Sequence, residues 1–314
     1  MKKLFFGGIH PKYNKEMSTH ITDFRTICPD VVVIPMQQHI GAPCVPQVAV
    51  GDRVLVGQKI GDGEGLCVPV HASVSGTVLA IEPRPHVSGR QVLAVVIEND
   101  GKNEEVTFAA AKLENLSDDE ILHRIREAGI VGMGGAAFPG NVKALSAIGN
   151  VDTLIANACE CEPYITADDF MLRTAAEDVM RGMLILKRLL NPNRVVLAVE
   201  DNKIEAIEKV KSLKETFADI ELAVLPTMYP QGAKAADPVR HRPRSEARSA
   251  ARFRGLRRVQ RVHLCLYLPG GLPGSAFDPA HRHRFRRGYC RSPELPGAHR
   301  YLLSRPDPGG RRSA

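Results

Sequence analysis

"VDTLIANACECEPYITADD", Val151 to Asp169, is the stretch on which the fold turns. Its first eight residues form a short apolar run bounded by polar residues, which reads as a buried strand. Two cysteines and two glutamates follow, and then the acidic start of a long helix expected over residues 167–190, which Asn191-Pro192 ends. "RVVLAVE" (Arg194–Glu200) reads as a second strand, residues 203–217 as a second helix, and "DIELAVLPT" (Asp219–Thr227) as a third strand. Strands alternating with helices predict a parallel sheet with helices on its faces. Ligands of such sheets sit beyond the carboxyl ends of the strands. Asn157, Cys159, Glu160, Cys161 and Glu162 fall there.

Upstream, "LSDDEILHRIREAG" (Leu116–Gly129) opens on a capping box made by Ser117 and Glu120, with Gly129 at the C′ position. Ile121, Leu122 and Ile125 supply its buried face. Residues 31–98 read as all-β: "VVVIPM", "GDRVLVGQKIG", "PVHASVSGTVLAIEP" and "RQVLAVVIEND" are short β-branched runs broken by Gly, Pro and Asp. Val48–Gly61 and Pro69–Ile81 resemble the two halves of a biotinyl/lipoyl-type barrel-sandwich. The tip "HASVSG" (His71–Gly76) lacks the lysine that such domains modify, so this barrel is expected to dock rather than to carry a covalent group.

Three motifs could carry chemistry. "GIVGMGGAAFPGNVK" (Gly129–Lys143) places Gly132, Gly134 and Gly135 where a backbone can approach a phosphate or a flat ring, with Lys143 downstream as a point charge. It is neither GxGxxG after a strand nor a Walker loop, and a structural glycine turn remains open. In "NACECEPYITADD", Glu160 and Glu162 can accept hydrogen bonds from a ligand or form an acidic flank to the following helix. Cys159 and Cys161 have no second pair to complete a metal site, so small packing residues are expected. "TMYPQGA" (Thr227–Ala233) follows the third strand; it could set Tyr229 beside the same ligand or be a surface turn. His10, His39, His71 and His86, and Cys44 and Cys67, have no ligand spacing and read as structural. No catalytic side chain and no metal ligand is assigned.

The charge is split. The 314 residues carry +7, but residues 234–314 carry +14, and residues 1–233 carry −7. Seven irregularly spaced cysteines argue against a secreted disulfide framework. The N-terminal apolar run is too short for a signal peptide, and no run of about 18 apolar residues occurs.

Taken together the motifs resemble the C subunit of the Rnf (Rsx) electron-transport complex, a ferredoxin:NAD⁺ oxidoreductase, whose family is related to the NADH-binding flavoprotein subunit of respiratory complex I. The stretches that carry the resemblance are "GGIHP" (7–11), "IPMQQHIGAP" (34–43), "PVHASVSGTV" (69–78), "IEPRPHVSG" (81–89), "IVGMGGAAFP" (130–139), "NACECEPYITADD" (157–169), "VEDNK" (199–203) and "YPQG" (229–232). The resemblance implies an N-terminal arm over 1–30 and a barrel-sandwich hybrid domain over 31–103. A Rossmann-like α/β FMN/NADH-binding domain over 104–233 would be incomplete. It implies FMN and NADH as cofactors. Gly132, Gly134, Gly135 and Ala136 would form the loop against flavin and nucleotide, shaped by Phe138 and Pro139, with Lys143 facing phosphate. Asn157, Glu160 and Glu162 would line the flavin and nicotinamide side, and Tyr229 and Gly232 would close the pocket. "FPGNVK" departs from the commoner "FPTHVK" at Asn141. Implied partners are NADH, the other subunits of the complex and a ferredoxin or ferredoxin-like subunit, with the chain peripheral on the cytoplasmic side of the membrane.

Past "YPQG" the resemblance predicts a β-grasp-like segment and two cysteine-rich 4Fe–4S motifs. This sequence holds only Cys265 and Cys290 there, which cannot ligate a cluster. Residues 234–245, KAADPVRHRPRS, can be encoded so that a reading one base later gives RQLIRYATGREV, close to the family's own segment. Residues 234–314 are therefore expected to be a frameshifted, disordered or irregular tail, with the activity of the chain impaired. An arginine-rich nucleic-acid arm is the rival, weakened by the near absence of lysine and of interleaved aromatics. A non-catalytic docking subunit built on the barrel is the other alternative.

Overall fold

The computed structural model describes residues 8–21, 27–108, 111–132 and 137–231, and the backbone of 260–263. The first half is built from short strands: β1 (Val31–Pro35), β2 (Val45–Pro46), β3 (Arg53–Val54), β4 (Lys59–Asp62), β5 (Val70–His71), β6 (Gly76–Pro85) and β7 (Gln91–Asn99). They form two antiparallel sheets, ordered β1-β7-β6-β3 and β2-β4-β5. Alternate residues of the larger sheet, among them Ile34, Val78, Val95 and Ile97, meet Met36, Val54, Ile60 and Val70 in one buried core. The turns need glycine where backbones touch. Gly41 has φ +113°, and a Cβ there would lie 2.1 Å from the Leu66 carbonyl oxygen.

The second half contains α1 (Asp118–Glu127), α2 (Gly140–Leu145), β8 (Thr153–Ala158), α3 (Ala167–Leu190), β9 (Arg194–Glu200), α4 (Ile204–Ser212) and β10 (Ile220–Leu225). The capping box forms as expected: the Ser117 hydroxyl accepts from the Glu120 N–H, and Glu120 accepts from the Ser117 N–H at 2.7 Å. Helix α3 spans the expected residues and stops where Asn191 turns left-handed at φ +45°. It is bent at Ala175, beside a Thr174 hydroxyl that donates to the Phe170 carbonyl at 2.7 Å. Helix α4 ends at Ser212 rather than at 217. The chain turns there, and Phe217 is buried instead of continuing the helix.

Strands β8, β9 and β10 are parallel and in register, with Ile155 opposite Val196 and Leu222 opposite Leu197. One face of this sheet (Leu154, Ala156, Val195, Leu197) packs on all four helices. The other face (Ile155, Val196, Ala198) forms a smaller cluster with Cys159 and Leu225. Among the described residues the helices thus cover one face, not both.

A fourth strand, β11 (Gln260–His263), pairs parallel with β8 and gives the order β10-β9-β8-β11. It is the one described segment of the arginine-rich tail, whose other residues lie outside the described set.

An ion-pair cluster joins the two halves. Asp62 accepts from Arg126 at 2.6 Å and from Lys59 at 3.0 Å, and Lys59 also binds Glu127 at 2.6 Å. Gly129, left-handed at φ +66°, lets the chain pass so close to the barrel that a Cβ would sit 2.7 Å from the Pro69 carbonyl.

Candidate functional site at the carboxyl edge of the parallel sheet

Asn157 is the penultimate residue of β8, and its side-chain oxygen accepts the Cys159 N–H at 3.1 Å where the chain turns out of the sheet. Glu160 then points inward and is buried. One carboxylate oxygen accepts the Asp168 N–H at 2.9 Å, in the first turn of α3. The other pairs with the buried Lys203 ammonium at 2.8 Å, just past the end of β9. A charge this deep is tolerated because the Lys203 ammonium and the helix N–H satisfy it. Glu160 therefore cross-links β8, α3 and β9, and its carboxylate is already engaged. Glu162, two residues on, is exposed.

The N-terminal segment closes over this edge. Lys15 is buried, and its ammonium donates to the carbonyls of Glu160, at 2.6 Å, and Ile165. The Tyr13 carbonyl accepts the Tyr164 N–H at 2.7 Å. Ile9 and Tyr229 exchange backbone hydrogen bonds at 2.8 and 2.9 Å, immediately before the cis Tyr229-Pro230 peptide. The arm and the turn after β10 thus meet in a small antiparallel bridge.

Three buried polar groups at this edge lack hydrogen bonds: both carboxylate oxygens of Glu200, Gln231 Oε1 and the Tyr13 hydroxyl. Glu200 ends β9 and is fully buried. Burial pushes its pKa up to about 7, against the opposing pull of Lys203, Lys15 and the Met228 backbone N–H, which faces it without closing a hydrogen bond of normal geometry. Burial and then Glu160 push Asp168 up to about 7 as well. Burial and Glu200 raise the Tyr13 hydroxyl and hold the Cys159 thiol well above its ordinary value, so Cys159 is an unreactive packing residue.

The two described flanks of the glycine segment pair antiparallel ahead of α2, with Val131 opposite Pro139. Gly132 donates to the Phe138 carbonyl at 2.9 Å and Gly140 to the Ile130 carbonyl at 2.8 Å. Ala137 between them is left-handed at φ +45°. Phe138 is 37% exposed and Tyr229 39%, so both rings have a solvent face. Lys143 sits in the last turn of α2. Gly134, Gly135, Ala136 and Gly232 lie outside the described residues.

The expected site residues divide accordingly. Asn157, Glu160 and Tyr229 meet at one edge, Gly132, Phe138 and Lys143 belong to the bridged flanks of the glycine segment and to α2, and Glu162 faces solvent. Sequence reasoning missed Glu200, Lys203, Lys15, Tyr13, Asp168 and Gln231. Glu200 and Lys203 lay within "VEDNK", Asp168 within "NACECEPYITADD" and Gln231 within "YPQG", so the motifs were the available signal; Tyr13 and Lys15 stood in a polar segment without periodicity.

Comparison with known proteins identifies the two halves. Residues 3–102 match the RnfC barrel sandwich hybrid domain, and residues 125–236 match the Nuo51 FMN-binding domain. Over these regions the chain belongs to the RnfC family. It is 43% identical over 234 residues to the C subunit of the Na⁺-translocating ferredoxin:NAD⁺ oxidoreductase complex of Acetobacterium woodii, covering 73% of this chain and 53% of that protein. To the C subunit of the ion-translocating oxidoreductase complex of Serratia proteamaculans it is 44% identical over 231 residues, covering 73% of this chain and 33% of that one. The chain thus spans from about a third to just over half of the length of these relatives. The NAD⁺-reducing NiFe-hydrogenase in its air-oxidised state is similar at 24% identity and a TM-score of 0.35, over 43% of this chain and 29% of that one. No helix among the described residues is long and apolar enough to cross a membrane.

The edge fits a flavin. Glu200 and Gln231 offer unsatisfied acceptors and Tyr13 an unsatisfied hydroxyl, and a flavin ring carries both an imide N–H and carbonyl oxygens.

Proposed function

We propose that this chain is the NADH- and FMN-handling part of an Rnf-type electron-transport complex. The observation that carries the reading is the pair of unsatisfied buried groups Glu200 and Gln231 at the carboxyl edge of a parallel sheet, inside a Nuo51 FMN-binding match, with the Tyr13 hydroxyl of the N-terminal segment brought to the same edge. When bound, FMN supplies the conversion between two-electron chemistry with NADH and single-electron transfer. The protein's part is to bind and orient. Gly132, Gly134, Gly135, Ala136 and Phe138 form the loop that approaches flavin and nucleotide, and Lys143 supplies charge for phosphate. Asn157 and Glu160 hold the edge in shape: Glu160 does so through Lys203 and α3. Glu162, being exposed, lines the outer, nicotinamide side. Tyr229 and Gly232 close the pocket where the N-terminal segment is tied down.

Electrons would pass to iron–sulfur carriers on other subunits or on a ferredoxin-like protein, with this chain peripheral on the cytoplasmic side of the membrane. The flavin-domain match ends at residue 236, where the composition turns to arginine and proline, which supports the out-of-frame reading of residues 234–314. The test is anaerobic addition of NADH to the chain reconstituted with FMN. Bleaching of the flavin absorbance is expected; a bound flavin that NADH leaves oxidised would reject the NADH assignment and favour a docking role.

A further inference from the structure

The barrel core contains a constellation that the spacing in the sequence hides. His39, Cys44 and Cys67 come from two separate loops and are all buried, and neither cysteine is in a disulfide. Their donor atoms converge: Cys44 Sγ to Cys67 Sγ is 3.4 Å, His39 Nε2 to Cys67 Sγ 3.7 Å, and His39 Nε2 to Cys44 Sγ 3.9 Å. A fourth atom faces the same point. The Val68 carbonyl oxygen lies 3.2 Å from His39 Nε2, 3.2 Å from Cys44 Sγ and 3.7 Å from Cys67 Sγ.

Six near-equal edges define a tetrahedron. At a mean edge of about 3.5 Å its centre lies about 2.1 Å from each vertex, the distance at which zinc binds imidazole nitrogen, carbonyl oxygen and, slightly farther, thiolate sulfur. The histidine is oriented for this. His39 Nδ1 lies 3.1 Å from the Ile40 carbonyl, which accepts its N–H and leaves the Nε2 lone pair facing the sulfurs. In the absence of metal that lone pair accepts the Val68 N–H at 3.3 Å, a hydrogen bond that metal binding would replace. The backbone has been brought close to make room: a Cβ on Gly63 would lie 3.1 Å from Cys67 Sγ, and one on Gly61 3.2 Å from Cys44 Cβ.

We propose that His39, Cys44, Cys67 and the Val68 carbonyl form a structural binding site for a divalent metal of the zinc type in the core of the barrel-sandwich domain. Binding replaces the two thiol protons by one dication, so two protons leave and the site stays neutral in an apolar core. All four positions are filled by protein, which makes the site structural rather than catalytic. It ties the β1–β2 loop to the β4–β5 connection and so pins the two small sheets together. The site is independent of the flavin reading.

The test uses the full chain, reduced and stripped of metal with a chelator, titrated with Co²⁺. One equivalent should produce a thiolate-to-cobalt charge-transfer band and tetrahedral visible bands, and Zn²⁺ should abolish both. Cys44→Ser and Cys67→Ser should each lose the bands, His39→Gln should weaken binding by roughly a hundredfold, and Cys159→Ser, in the other domain, should keep them. A wild-type chain that shows free thiols and no charge-transfer band at millimolar Co²⁺ overturns the site. So does a folded Cys67→Ser variant that retains the bands.

Discussion

Glu200 shows how one residue can be both a cost to the fold and a mark of its site. Its carboxylate is fully buried without a hydrogen bond, and its pKa rises to about 7 from an ordinary value of 4.5. The folded chain therefore holds a proton between about pH 4.5 and 7 that the unfolded chain releases, so stability falls as pH rises through that window. Asp168, also near 7, adds to the same slope. Glu200→Gln is expected to raise the thermal midpoint of the ligand-free chain at pH 7.5 and to flatten its decline between pH 5 and 7.5. An unchanged pH profile would show that the carboxylate is solvated. Little of this was legible in the sequence. Glu160 could be read as an acid at a strand end, but its partner Lys203 is 43 residues away, and only folding shows that the pair is buried. His39, Cys44 and Cys67 were read singly, because loops rather than a regular spacing bring them together.

At the scale of elements the sequence was more informative, because local signals decide where helices begin and end. The capping box, the Asn191-Pro192 stop and the strands on either side of α3 all lie where pattern and capping rules put them. The capping hydroxyl of Ser117 should matter: Ser117→Ala is expected to cost about 1 kcal/mol, read as a shift in the urea midpoint at constant slope. No shift would mean that packing of Ile121 and Ile125 alone holds α1. Two element features were not legible. Helix α4 ends early because burying Phe217 outweighs a weak continuing helical pattern. Strand β11 comes from an arginine-rich stretch that the sequence reading set aside as an irregular tail, and its pairing with β8 is entirely long-range.

At the scale of the whole molecule, the contact between the halves rests on Asp62, Lys59, Arg126 and Glu127. Burial would raise the Asp62 pKa, but Arg126, the Gly63 N–H and Lys59 outweigh it and hold the group at about 2. Its contribution is present above about pH 4 and is lost as pH falls toward 2, on the order of 2 kcal/mol. Acid titration of stability should show this loss, and Arg126→Ala should remove most of it; an equally steep loss in the variant would place the acid sensitivity elsewhere. The two-domain order was legible because each half has its own periodicity, two in the barrel and strand-helix alternation after it. The N-terminal segment as a clasp over the sheet edge was not, since Tyr13 and Lys15 act through single hydrogen bonds and burial rather than through a pattern. The central claim is that this edge binds flavin. The chain contains no tryptophan, so the fluorescence of FMN itself is a clean signal. Titrating FMN with the purified full chain should quench that fluorescence to a one-to-one endpoint, and Gly132→Val should abolish the quenching in a folded protein. Full flavin fluorescence in the presence of excess folded wild-type chain would contradict the account.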